Sequence, residues 1–366
     1  MPLLEKIVVS DFRNIELQEL EFSPNINCIS GNNGEGKTNL LDAIYYLSMT
    51  KSAFMSSDKF NFRHGTDKFS ISGQYLMETG LHSRVSLSIN SKGEKKVKRD
   101  DKVYPKASSH IGALPIVLVS PSDTSLVSDS GEERRKFANA VLSQMYPEYL
   151  TALQQYNRLL LQRNKLLKEA VIERELLEII DLRMANYAQP VYRARKKFVE
   201  LMSPVVAEYY STLSGDAEKV GVSYESQMDK CPLEELFKAN YDKDRTMKYT
   251  TAGLQRDDFL FTMDQMQLRR CGSQGQQKSF LVSLKFAQYE IMKRNYGFPP
   301  MLLLDDVFDK LDMGRISNLL KMVTGHDFGQ IFITDSNKVR MSGIVDNLTS
   351  DRVYFDTVGG VFTKLD

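Results

Sequence analysis

Eight residues, Gly31-Asn32-Asn33-Gly34-Glu35-Gly36-Lys37-Thr38, follow the spacing G-x-x-x-x-G-K-[ST] in full. That composition suits a chain of phosphates. Glycines at 31, 34 and 36 let backbone amides approach phosphate with no Cβ in the way. The amides of Asn32, Asn33, Gly34 and Gly36, and those opening the next helix through Asn39, would meet its negative charge. The Lys37 ammonium can reach the β- and γ-phosphates, and the Thr38 hydroxyl can hold Mg²⁺. Two acids, Asp305 and Asp306, close the apolar run Met301-Leu302-Leu303-Leu304. Asp305 would hold Mg²⁺ through water, and Asp306 would polarise an attacking water as general base. Loop and acids together are the parts of a phosphoryl-transfer site, and they imply ATP and Mg²⁺.

Such a loop must follow a strand and open a helix. Ile26-Asn27-Cys28-Ile29 reads as the strand, and Leu40, Leu41, Ile44 and Leu47 have the spacing of the helix. The runs 301–304 and 330–334 read as central strands of an α/β sheet, as does the short apolar run 114–119. Residues 69–104 read as hairpins with a basic second arm after a Lys92-Gly93-Glu94 turn. From Gly131 apolar residues recur at three and four. This predicts a helical region of about eighty residues, with a second helix from about Val191 to Leu213 and a stop at Ser214-Gly215-Asp216. The expected class is α/β, a nucleotide-binding head with mixed sheets over 1–124 and 216–366. An all-helical domain is inserted at 125–215.

With 366 residues, 42% of them hydrophobic and 26% charged, the chain can bury a core of more than one domain. Three cysteines, Cys28, Cys231 and Cys271, form no CxxC pair, so a disulfide or zinc framework is not expected. Only four histidines are present. No apolar run approaches the roughly 18 residues of a membrane span, and the first residues lack a secretion signal. A cytoplasmic protein with no membrane partner is the expectation.

A third segment, Gly272 to Ser279, precedes an apolar-periodic helix. It resembles the signature motif of ABC-type ATPases, with Ser273, Gln274, Gly275 and Gln276 in its last four places. That resemblance implies that the helix start meets ATP held by a second copy. Asp309-Lys310-Leu311-Asp312 resembles the D-loop, with Asp312 as its acid. The switch position, often histidine in transporters, reads Thr334-Asp335, and no glutamine lies between Pro115 and Asp123.

Nearly the whole chain resembles the RecF family. The resemblance covers Phe12-Arg13-Asn14, the loop and its helix, and the Arg134-Arg135 segment. It continues through residues 149–168, with Tyr156-Asn157-Arg158 and Gln162-Arg163-Asn164, then the block Asp244 to Asp258, and both later motifs. It departs at Gly253-Leu254-Gln255, where the family usually has Gly-Pro-His, and at Met55, where an arginine is common. Lys51 and Arg63 are the candidates to substitute there. The resemblance implies an ABC-type ATPase head and a homodimer formed on ATP. It also implies binding to gapped DNA and single-strand/duplex junctions, and work with RecR and RecO to load RecA. Weak DNA-stimulated ATP hydrolysis would release the dimer, with no nuclease or helicase activity. An ATP-hydrolysing subunit of a transporter, or one tied to a nuclease, is the alternative.

The 48 basic and 47 acidic residues leave a net charge of +1, so DNA binding needs a local patch. Residues 92–106 hold seven basic side chains against three acids. Lys95, Lys96, Lys98 and Arg99 there, and Arg158, Arg163 and Lys165 in the helical region, are the candidate contacts. Arg193, Arg195, Lys196 and Lys197 make a further basic run.

Overall fold

A computed structural model describes residues 1–171, 173–215, 218–307, 328–346 and 349–365. The chain forms two compact units, Met1–Asp123 with Gln288–Asp366, and Thr124–Ala287.

The first unit holds two six-stranded sheets. One is antiparallel, in the order β2 (Ile15–Glu21), β1 (Leu3–Phe12), β4 (Lys68–Leu76), β5 (His82–Asn90), β6 (Lys95–Arg99) and β7 (Lys102–Val103). Its strands alternate buried and open residues, as Phe69, Ile71, Gly73 and Tyr75 do in β4, so one face is apolar and the other wet. The other sheet runs β15 (Val361–Leu365), β14 (Arg352–Val358), β3 (Ile26–Ser30), β13 (Ile331–Asp335), β12 (Met301–Asp305) and β8 (Ile116–Val119). Its neighbours from β14 to β8 are parallel, and β15 is an antiparallel edge. Strands β3, β8, β12 and β13 are buried throughout, which is why they read as unbroken apolar runs. Helix α1 (Lys37–Met49) packs against strands of both sheets.

The second unit is built on α2 (Ser125–Ser128), α3 (Gly131–Met145), α4 (Pro147–Leu166) and α5 (Arg174–Ser214). Tyr146 is extended ahead of Pro147, which separates α3 from α4. The expected second helix starting near Val191 is corrected: α5 is one helix of 41 residues that passes through Pro190 and Pro204. Proline removes one ladder hydrogen bond and crowds the preceding turn. The buried stripe Met184, Ala188, Val191, Arg195, Phe198 and Met202 continues across Pro190 and holds the helix together. Gly215, left-handed at φ 76°, ends it.

The sheet β9 (Val220–Glu225), β10 (Asp258–Met263) and β11 (Met266–Gln267) belongs to this unit, with α6 (Leu233–Ala239), α7 (Tyr241–Met247) and α8 (Leu268–Cys271). Thus the helical unit is not closed at residue 215, since β9 packs along α5 and β10 against α3. Helix α9 (Gln274–Tyr296) contributes residues to both units.

Candidate nucleotide site

The loop leaves β3 at Ser30 and enters α1 at Lys37. Gly36 caps the helix at φ 116°, and a Cβ there would lie 2.8 Å from the Asn14 amide nitrogen. Glycine is required on both counts. No side chain caps α1, so its first amides stay available to an anion. Lys37 is buried, and its Nζ donates to the carbonyls of Gly31 (2.7 Å) and Asn32 (3.0 Å). Asn32, Asn33 and Gly34 are exposed at the loop's rim.

The loop is braced from the turn between β1 and β2 by residues whose role the sequence reading missed. Asn14 donates to the Glu35 carbonyl (3.0 Å) and accepts from the Asn39 amide (2.7 Å). Arg13 donates to the Asn39 oxygen (2.8 Å) and to Asp42, a fully buried carboxylate that also accepts from Ser52 (2.7 Å) and the Ala53 amide (2.7 Å). The Asn39 side chain therefore holds the brace, which leaves its backbone amide for a nucleotide. The β14–β15 turn closes the other side, with Gly360 N–H donating to the Glu35 carbonyl (2.8 Å).

Both acids stand at the end of β12, beside the loop. Asp305 is 3% exposed, and the Thr38 hydroxyl lies 3.0 and 3.1 Å from its two oxygens. Burial pushes its carboxyl up to about 6, against the pull of hydrogen bonds from Thr334 and Thr38. A buried carboxylate next to a threonine hydroxyl suits Mg²⁺, which takes few protein oxygens and completes its shell with water and phosphate. Among the described residues no group of three or more His, Cys, Asp or Glu could make an all-protein cage. Asp306 follows with φ at 45°, and its N–H donates to the Thr334 hydroxyl (3.0 Å).

The first unit therefore brings loop, threonine and acid strand into one site. The description "RecF/RecN/SMC N terminal domain" fits residues 3–355. The DNA replication and repair protein RecF of Bacteroides fragilis is 41% identical over 365 residues, covering 100% of this chain and 99% of that protein. The chain belongs to the RecF family. RecF of Porphyromonas gingivalis is 39% identical over 359 residues, 98% of this chain and 99% of that one. A solved structure of the recombination mediator protein RecF with ATP, in the RecFOR pathway, superposes with a TM-score of 0.90 at 28% identity. It covers 100% of this chain and 98% of that one. The Smc head domain of Pyrococcus furiosus shares the fold, with a TM-score of 0.59 at 15% identity.

In this RecF-family chain the signature residues lie in the second unit. Ser273 and Gln276 cap the start of α9 reciprocally: Ser273 N–H donates to the Gln276 side chain (2.7 Å), and Gln276 N–H to the Ser273 hydroxyl (3.3 Å). Gln276 also donates to Glu218 (2.5 Å), while Gln274 and Gly275 form the first turn of the helix. Residues 309–312, with Asp312, lie outside the described residues. Arg63, considered for the arginine missing at Met55, donates to Glu16 (2.6 Å).

The basic candidates divide sharply. Arg163 is corrected: it is fully buried and donates to Asp181 (2.6 Å), Asp244 (2.6 Å) and Thr250 (3.0 Å), over the Phe237 ring. A side chain shut away from water cannot contact DNA phosphate. Arg195 is likewise buried on Asp257 (2.7 Å). Lys95 is held by Asp58 (2.8 Å) and the Thr50 carbonyl (2.8 Å), and Arg99 lies on Ser83 (3.2 Å) and beside Asp100. Lys96 and Lys98 point to the opposite, open face of the sheet, opposite Ser88 and Ser86. Neither belongs to an ion pair among the described residues. Lys68 and Arg84 carry positive charge on that same face. Arg158 and Lys165 are exposed on α4.

Proposed function

We propose that this chain is an ATP-dependent DNA-binding mediator of recombinational repair, as its relatives' names suggest. The arrangement that carries the reading is the Thr38 hydroxyl set on the Asp305 carboxylate beside the glycine loop. ATP would lie with its phosphates on the amides of the loop and of the first turn of α1. Lys37 would turn its ammonium from the loop carbonyls onto the β- and γ-phosphates. Mg²⁺ held by Thr38 and Asp305 would neutralise charge on those phosphates. Water attacks the γ-phosphorus, Asp306 takes its proton, and the bond to the β-phosphate oxygen breaks to release ADP. Aspartate is one methylene shorter than the usual glutamate, and slow turnover is expected.

The amides at the start of α9, from Ser273 to Gln276, would face ATP bound by a second copy, so that ATP joins two chains. Asp312 would stand at the same junction. Closure would double each basic surface, and DNA would be held through its backbone by Lys96, Lys98, Arg158 and Lys165. Hydrolysis would then open the dimer, making ATP a timer. Gapped DNA and single-strand/duplex junctions are the proposed targets, RecR and RecO the proposed partners, and RecA loading the outcome.

The test measures binding to gapped, single-stranded and duplex DNA, with and without ATP and RecR, alongside light scattering for dimerisation. ATP-dependent binding by a dimer is expected. A chain that stays monomeric at saturating ATP and micromolar concentration would refute the mechanism.

A further inference from the structure

Where ABC-type transporters often carry the switch histidine, this chain has Thr334-Asp335 at the end of β13. Asp335 is taken up by an ion pair. It is 1% exposed and accepts from Arg340 (2.8 and 3.0 Å) and from the Asn337 amide (2.7 Å). Thr334 is different. It is fully buried, and parallel pairing of β12 with β13 sets it beside Asp305. Its hydroxyl donates to Asp305 Oδ1 (2.7 Å), and the same oxygen accepts the Asp306 N–H (3.0 Å).

A threonine hydroxyl has one hydrogen to give. Here Asp305 receives it, so none remains for a phosphate. The group can orient, and it has no proton left with which to sense. Its accepting side receives the N–H of Asp306, whose backbone is left-handed at φ 45°. A single side chain therefore ties the acid assigned to the metal to the acid assigned to the water.

We infer that Thr334 is a positioning residue that fixes Asp305 and Asp306 relative to each other, in the place where ABC-type transporters often carry a histidine. The inference rests on the ATPase reading above. Replacing the hydroxyl by a methyl would leave a buried carboxylate oxygen short of one donor and the Asp306 N–H short of its acceptor.

The test compares full-length wild type, Thr334→Val and Thr334→Ser. Calorimetry reads how much Mg²⁺ tightens binding of a non-hydrolysable ATP analogue. Steady-state hydrolysis separates kcat from KM, and thermal melting reports folding. Thr334→Val is expected to lower kcat by about tenfold to a hundredfold and to reduce the magnesium-dependent gain in analogue affinity by about tenfold. Thr334→Ser, which keeps the hydroxyl, should retain both within about twofold. If Thr334→Val does not fold, Thr334→Ala makes the same comparison with less bulk. A folded variant without the hydroxyl that keeps wild-type kcat and magnesium gain overturns the inference. So does a serine variant that loses as much as valine. A wild type that binds no Mg²⁺-analogue complex sinks the ATPase reading itself, and this inference with it.

Discussion

Asp305 is a carboxylate placed where water solvates it poorly, and this shapes the pH response of the site. Its carboxyl rises from 3.8 to about 6, chiefly through burial. Without a cation the folded chain therefore holds an extra proton between those values, and stability declines as pH rises through that window. A divalent cation can offset the charge only once the carboxyl has ionised. The melting-temperature gain from Mg²⁺ with an ATP analogue is thus expected to be larger at pH 7.5 than at pH 5.5. Equal gains at both would contradict the assignment of Asp305. At the neighbouring position Asp306→Asn should leave analogue affinity within a few-fold and lower turnover by about a hundredfold or more, as loss of a general base does. Light scattering should then show a dimer that persists in ATP. The loop and both acids were legible in the sequence because phosphate chemistry demands those residue types in local order. The roles of Arg13, Asn14 and Thr334 were not, since each acts on a partner remote in the chain.

Among the elements, α4 and α5 show most plainly how a charge pattern misleads. Arg163 looks like part of a basic run, yet it shares a buried stripe with Tyr156, Leu159 and Leu167 at helical spacing. That spacing was visible, and it marks the residue as interior. It joins α4, α5 and α7 through Asp181 and Asp244, and its neighbour Asn164 accepts from Thr250 (2.8 and 2.7 Å). Two family-specific blocks distant in sequence are therefore one polar core. Breaking a buried pair leaves an uncompensated charge, so Arg163→Ala should lose about 3–5 kcal/mol in urea unfolding. Reversing Lys165 to Glu should leave stability nearly unchanged. Strand β6 carries the same lesson at period two: Val97 points inward with Lys95 and Arg99, while Lys96 and Lys98 face out. The continuation of α5 through Pro190 could not be read locally, because burial along its whole length outweighs one lost hydrogen bond.

For the whole molecule, near-zero net charge and DNA binding are compatible only if charge is distributed unevenly. Contact with about six phosphates would give a log–log salt slope near −5. The double variant Lys96→Glu, Lys98→Glu is expected to make that slope shallower by about two on ATP-dependent binding. An unchanged slope would move the DNA surface elsewhere. Among the described residues no helix is long and apolar enough to cross a membrane. What the sequence determined by itself was everything carried by short, ordered spacing: the glycine loop, the apolar strand with its two acids, the signature-like segment ahead of α9 and the family. Such motifs are local because backbone geometry over a few residues dictates them. Tertiary structure decided which cations are exposed and which are buried, that β9 to β11 fold with the helices, and that a threonine on β13 hydrogen-bonds with both acids. Those outcomes depend on strand register and packing between distant segments, which one-dimensional spacing does not encode.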